Sequence, residues 1–321
     1  MIYKKIGADR ISAVGFGTGI HDQTNKDYSM LEQSLCAAIE SGVNFVDTAP
    51  VYGDGSSEEA LGRVLRGVGR DKIFLASKVS PADTTYAGVI RSVEDSLARL
   101  QIDTLDLCQI HWPSTTVPVE ETTQALENLV LEGKVRHIGV SNFQLHEVQN
   151  TVGALQTSPL RTIQSEYNFF ERSVEKNVLP FCKNNDIMLI AYSPLAQGRM
   201  VNGKKQRNIL NNMAKKYNAT QAQIVIRWLI EDSSVLVIPN TSKPNRAMEN
   251  ASAADICISP EDMKYLSKNL TTSMEMVDTK NIRPSNDYNR KVYQTIEEAL
   301  ENDMKMSPSP LELSEEIKLG N

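Results

Sequence analysis

Apolar and polar positions along this chain repeat in two periods that take turns. Residues 2–17 alternate around the turn-like Gly7-Ala8-Asp9-Arg10 and predict a β-hairpin leading into Val14-Gly15-Phe16-Gly17-Thr18-Gly19. Helical spacing over about 28–41 then gives way to a strand at 44–48. Ser56-Ser57-Glu58-Glu59 reads as a capping box that opens a helix through Ala60-Leu61-Gly62-Arg63-Val64-Leu65. Further strands are expected at 73–79, 105–112, 138–142, 162–167, 188–193 and 235–239. Between them lie helical stretches near 89–100, 119–132, 145–155 and 174–185, then a pair at 207–217 and 221–231. Helices near 245–254 and 260–269 complete the series.

Counted from the glycine-rich strand, this makes eight strands, each followed by helix. Strands that alternate with helices form parallel sheets, because a parallel pair needs a long crossover. The expected fold is therefore α/β, a (β/α)8 TIM barrel with an N-terminal β-hairpin and a C-terminal extension. Residues 1–270 make one barrel domain and 271–321 the extension. Its Ser307-Pro308-Ser309-Pro310 and mixed charge favour a loose surface segment, with 271–300 packed near the barrel mouth and the rest peripheral.

Composition narrows the function. At 321 residues, 40% hydrophobic and 23% charged, the chain is ordinary globular material. A net charge of −6 with scattered Lys and Arg leaves no electrostatic footprint for nucleic acid. No apolar run has spanning length and no N-terminal signal segment is visible, so the expectation is a cytoplasmic protein with no membrane partner. Cys36, Cys108, Cys182 and Cys257 lie far apart and form no metal-ligand spacing, which leaves reduced thiols and no metal. The cluster Gly15-Phe16-Gly17-Thr18-Gly19 lacks the third glycine position and the distant acidic residue of the dinucleotide fingerprint. It reads as a tight strand end where backbone approaches another group.

A barrel carries its chemistry at the C-terminal ends of its strands. Asp47, Lys78 and His111 end the second, third and fourth strands, with Tyr52 in the second loop. Singly, they have bland readings: a strand-end Lys that snorkels to the surface, a satisfied core imidazole, a packing Tyr. Together they form an arrangement suited to tuning a proton donor. A Lys⁺ beside the phenol favours phenolate, so the expectation is a Tyr52 pKa below the usual value of about 10.

The segment Phe45-Val46-Asp47-Thr48-Ala49-x-x-Tyr52-Gly53, with Ser57-Glu58-x-x-Leu61-Gly62, Ser77-Lys78, His111-Trp112-Pro113, Gly139-Val140-Ser141-Asn142-Phe143 and Gln164-Ser165-Glu166-Tyr167-Asn168, resembles the aldo-keto reductases over residues 2–270. The resemblance implies a (β/α)8 barrel and NADPH-dependent reduction of an aldehyde or ketone, with a small-molecule carbonyl partner. It implies that Tyr52 protonates the carbonyl oxygen, that Lys78 and Asp47 tune it, and that His111 orients the carbonyl. It gives Ser141, Asn142 and Gln164 to the nicotinamide carboxamide and Tyr192 to stacking on the ring. Gly17, Thr18, Ser193, Leu195 and Gly198 would also contact NADP(H), with the pyrophosphate and ribose lying under Leu195-Ala196-Gln197-Gly198-Arg199 and the basic loop that follows. Ser242, Lys243 and Arg246 suit a 2′-phosphate at a helix start, and Glu249 and Asn250 match positions near adenine. Some relatives carry Lys where this chain has Asn240, so NADPH is preferred while exclusion of NADH stays open.

Trp112 should line the substrate pocket with the loops near Gly19–Asp27 and Ser80–Tyr86, which carry His21, Asp22, Tyr28 and Tyr86. The basic loop Gly203-Lys204-Lys205-Gln206-Arg207 is either a clamp over the cofactor or an exposed turn. Two other readings stand beside the reductase. One is an NADP(H)-binding regulatory or sensor subunit with little turnover, similar to potassium-channel β subunits. The other is a lyase or epimerase relative, against which the intact tetrad and nicotinamide belt argue. Neither the physiological substrate nor the oligomeric state is legible.

Overall fold

The computed structural model describes residues 1–19, 28–198 and 204–270. The extension, the loop that carries His21 and Asp22, and Arg199 through Gly203 lie outside the described residues.

Strands β1 (Tyr3–Ile6) and β2 (Asp9–Ser12) form the hairpin, turning at Gly7 with φ +58°. The barrel follows as β3 (Phe16–Gly17), α1 (Ser29–Glu40), β4 (Phe45–Asp47), α2 (Ser56–Val68), β5 (Phe74–Val79), α3 (Tyr86–Leu100) and β6 (Leu105–Ile110). It continues through α4 (Val119–Leu131), β7 (Val135–Ser141), α5 (Leu145–Ala154), β8 (Leu160–Glu166), α6 (Val178–Asn184) and β9 (Met188–Tyr192). The last elements are α7 (Lys204–Lys216), α8 (Gln221–Leu229), β10 (Val235–Val237), α9 (Pro244–Ser252) and α10 (Pro260–Asn269). Each expected strand and helix is present, with ends moved by a few residues.

Strands β3 to β10 pair in sequence order, all parallel. Val14 bridges Val237 in parallel, Gly15 N–H donates to Val237 O, and Val237 N–H donates to Ala13 O, which closes the sheet into a barrel. The glycine cluster is a closure device. A Cβ on Gly15 would sit 2.8 Å from the Phe45 ring, and one on Gly17 3.0 Å from Ile238 O, so the seam needs both positions bare.

Two apolar layers hold this arrangement. Outside the sheet, residues such as Leu35, Leu61, Val93, Leu126 and Leu229 pack helices onto strands. Inside, Phe45, Phe74, Leu107, Ile190 and Leu236 meet Ile6 and Ile11 of the hairpin, which plugs the N-terminal end of the barrel. Lys4 pins the plug by donating to the carbonyls of Ile230, Asp232 and Val235. Asp9 adds partners in Arg136 and His137. Burial raises the Asp9 carboxyl, but these hydrogen bonds outweigh it and hold its pKa below the usual carboxylate value.

One local expectation fails. The capping box at 56–59 does not form: α2 starts after Gly55, which lies at φ +86° and offers no side-chain cap. Ser57 and Glu58 are instead buried. The Ser57 hydroxyl donates to Thr18 O, while Glu58 accepts from Ser77 Oγ at 2.7 Å and Arg99 Nε at 2.7 Å. Ser56, the expected N-cap, already lies inside the helix, and Glu59, its expected partner three residues on, is exposed.

No helix among the described residues is long and apolar enough to cross a membrane. Cys108 and Cys182 are buried thiols, each pushed up to about 12 by burial; Cys36 is half-buried and Cys257 exposed.

Candidate active site

Asp47, Lys78 and His111 stand at the C-terminal ends of β4, β5 and β6, and all three are buried. Lys78 Nζ lies 2.6 Å from Asp47 Oδ2, 2.9 Å from Thr48 O and 3.2 Å from Tyr52 Oη. The ammonium thus links the carboxylate to the phenol. Tyr52 arrives on the loop between β4 and α2, whose shape depends on glycine: a Cβ on Gly53, at φ +60°, would overlap the Tyr28 hydroxyl. Tyr28 is therefore a buried support of the loop.

The expected direction of the Tyr52 shift is overturned. Burial, and then the charge of Asp47, push the phenol well above 10. The phenolate would be a second anion close to Asp47, in a site where desolvation already disfavours charge. Tyr52 stays protonated. His111 moves the other way, held well below 6.5 by burial and then by the Lys78 charge, so its imidazole is neutral. The ring stands edge-on to Tyr52, with centroids 5.9 Å apart and planes at 86°. Its Nδ1 is buried with no hydrogen-bond partner among the described residues. A bare acceptor is easier to leave unpaired than a buried N–H, which assigns the ring proton to Nε2.

Asp47 Oδ1 has partners that the sequence did not reveal. Gln164 Nε2 donates to it at 2.8 Å and Gln109 Nε2 at 3.2 Å. For Gln109 the available signal is a carboxamide between Cys108 and Ile110 in a buried strand.

The belt implied for a nicotinamide lies on the next three strand ends. Ser141 is buried, and Asn142, at φ +64°, donates from Nδ2 to His111 O at 3.0 Å and to Ser141 Oγ at 3.1 Å. Tyr192 Oη donates to Asn142 Oδ1 at 2.9 Å, which sets the tyrosine beside the belt. Ser193 follows at φ +47°, with Leu195 half-buried and Gly198 exposed at φ +80°. Thr18 bonds Thr48 across β3 and β4 at 2.8 Å. Trp112 stacks beside His111 with centroids 6.4 Å apart. At the start of α9, Ser242, Lys243 and Arg246 are exposed, and the helix has no side-chain cap. Asn250 is buried, and Glu249 accepts from Thr220 Oγ1 at 2.6 Å.

The parallel barrel thus brings a buried Lys–Asp pair, a protonated phenol and a neutral imidazole together at one mouth. Residues 13–270 match the model of the Aldo/keto reductase family, and the chain belongs to that family. It is 36% identical over 250 residues to glyoxal reductase of Bacillus subtilis, covering 77% of this chain and 86% of that protein. Methylglyoxal reductase YeaE of Escherichia coli is 34% identical over 259 residues, covering 80% and 90%. Among solved structures, an aldo/keto reductase from Klebsiella pneumoniae in complex with NADP and acetate is 34% identical, with a TM-score of 0.77 over 84% of this chain and 96% of that one.

Proposed function

We propose that this chain is an NADPH-dependent reductase of small aldehydes and ketones, with alcohol oxidation as the reverse reaction. The observation that carries the reading is the contact of Lys78 Nζ with both Asp47 and Tyr52, beside a neutral His111. The residues present fit the cofactor. Ser141, Asn142 and Gln164 offer amide and hydroxyl groups for a carboxamide, and Tyr192 offers a flat ring face. Gly17 and Thr18 line the seam, Ser193, Leu195 and Gly198 the following loop, and Ser242, Lys243 and Arg246 an anion site at a helix start. Glu249 and Asn250, one turn further along α9, would hold the adenine. NADPH, when bound, supplies the hydride for the carbonyl carbon.

The chain's own residues manage the proton. Tyr52 donates from Oη to the carbonyl oxygen as charge gathers there. Its raised pKa does not prevent this, because an alkoxide is far more basic than a phenolate. Lys78 offsets the phenolate that remains, and Asp47 holds Lys78 in place. His111 donates from Nε2 to the same oxygen and polarises it. Trp112 walls the pocket. The names of the glyoxal and methylglyoxal reductases support small dicarbonyls as the first substrates to try.

The test follows loss of reduced-nicotinamide absorbance with a panel of aldehydes, ketones and dicarbonyls, beside Tyr52→Phe. Turnover should fall by about 10²- to 10⁴-fold in the variant while NADPH binding persists. Tight NADPH binding without wild-type turnover would overturn the reductase and leave the sensor subunit.

A further inference from the structure

Across four neighbouring strands, one register row of the barrel runs Lys78, Gln109, Gly139, Thr162. Its second member is fully buried, touches no surface and has every polar atom occupied. Gln109 Nε2 donates to Asp47 Oδ1 at 3.2 Å, and Gln109 Oε1 accepts from Thr162 Oγ1 at 3.4 Å and from Gln164 Nε2 at 3.5 Å. The amide orientation is forced: a carboxylate only accepts, so the nitrogen must face Asp47. Gly139 makes the row possible. A Cβ there would overlap Thr162 Oγ1 and come within 3.0 Å of Gln109 Cγ, closing the gap through which the two side chains meet.

We propose that Gln109 is a positioning residue of the carbonyl reduction, one that aims the Asp47 carboxylate at Lys78 and thereby sets the Lys78 ammonium against Tyr52. This inference rests on the reductase reading. Asp47 has two oxygens and must present one of them, Oδ2, to Lys78. Two carboxamides on Oδ1 fix the plane of the carboxylate, and Gln109 additionally holds Gln164 through its own oxygen. Without Gln109 the carboxylate keeps one lateral donor and gains freedom to turn. Lys78 then follows it away from a phenol 3.2 Å distant. Tyr52 is faced by Asp47 from β4, Lys78 from β5 and His111 from the end of β6, so Gln109 acts on the proton donor only through the first two.

Gln109→Met keeps volume and removes the donor, and Gln109→Glu replaces the amide by a carboxyl that donates to Asp47 only when protonated. In Gln109→Met, kcat should fall about 10- to 100-fold with KM for the carbonyl unchanged, and any weakening of NADPH binding through Gln164 should be smaller than the fall in kcat. In Gln109→Glu, activity should approach wild type near the acid end of the profile and fall as pH rises, over a range where wild type stays level. A crystal structure of Gln109→Met should show Asp47 turned and the Lys78–Tyr52 separation lengthened.

Wild-type kcat in both variants, or a loss confined to thermal stability, would overturn the proposal. So would an unmoved Asp47 in the crystal. That last readout does not depend on turnover. A wild type that reduces no carbonyl therefore defeats the reductase reading, while the crystal of the variant still decides whether Gln109 aims Asp47.

Discussion

Lys78 is fully buried against Asp47, Nζ to Oδ2 at 2.6 Å, in the interior of a barrel whose surrounding residues are mostly apolar. Neither charge would be stable there alone. The pair survives because the remaining ammonium protons go to Thr48 O and Tyr52 Oη, and the remaining carboxylate oxygen accepts from two glutamines.

Breaking this pair should cost more than removing it. Lys78→Met strands the carboxylate and is expected to destabilise the protein by about 3–5 kcal/mol. The double change Lys78→Met with Asp47→Asn removes both charges and should recover part of that stability without recovering turnover. Denaturant midpoints of the two proteins check this; a double variant no more stable than the single one would refute it.

His111 makes stability depend on pH. Its folded pKa lies well below 6.5, so just below that pH the unfolded chain binds more protons there than the native protein. Stability from this group is complete above 6.5 and is lost as pH falls below it. The denaturant midpoint should therefore drop from pH 7 to pH 5, and drop less in His111→Asn, which takes up no proton. Equal slopes in both proteins would remove His111 as the cause.

Arg246 tests the 2′-phosphate assignment. It is exposed at the start of α9, where its loss disturbs no core. Arg246→Ala should weaken NADPH binding by about 10- to 100-fold, the worth of a charge-assisted hydrogen bond, and leave NADH binding nearly unchanged. Equal losses for the two cofactors, measured by fluorescence titration, would place the phosphate elsewhere.

Lys4 belongs to the opposite end of the barrel. Lys4→Met takes one donor from the carbonyls of Ile230, Asp232 and Val235, of which Asp232 O keeps the Val235 N–H, and should cost roughly 2–4 kcal/mol. Because the hairpin plug is remote from the strand ends that carry the site, kcat should not change. A large fall in kcat with little change in stability would mean that plug and site are coupled.

The alternation of strand and helix is legible in the chain alone, since each element's apolar period is a local property. With the barrel rule, that period also put Asp47, Lys78 and His111 at strand ends, and Tyr52 in the loop beside them. What it could not determine depends on which strands are neighbours and in what register. Gln109 is one polar residue in an apolar run until β6 is laid between β5 and β7, when it becomes a partner of Asp47, 62 residues away. Gly139 is a gap only because Thr162 stands opposite it. The capping motif at 56–59 is sound locally, yet the helix starts one residue earlier than the motif requires, after Gly55. The Tyr52 shift runs opposite to the pairwise expectation for the same reason. Counting one nearby Lys⁺ is a pairwise argument, whereas desolvation is a property of everything packed around the phenol, and only the closed barrel decides it.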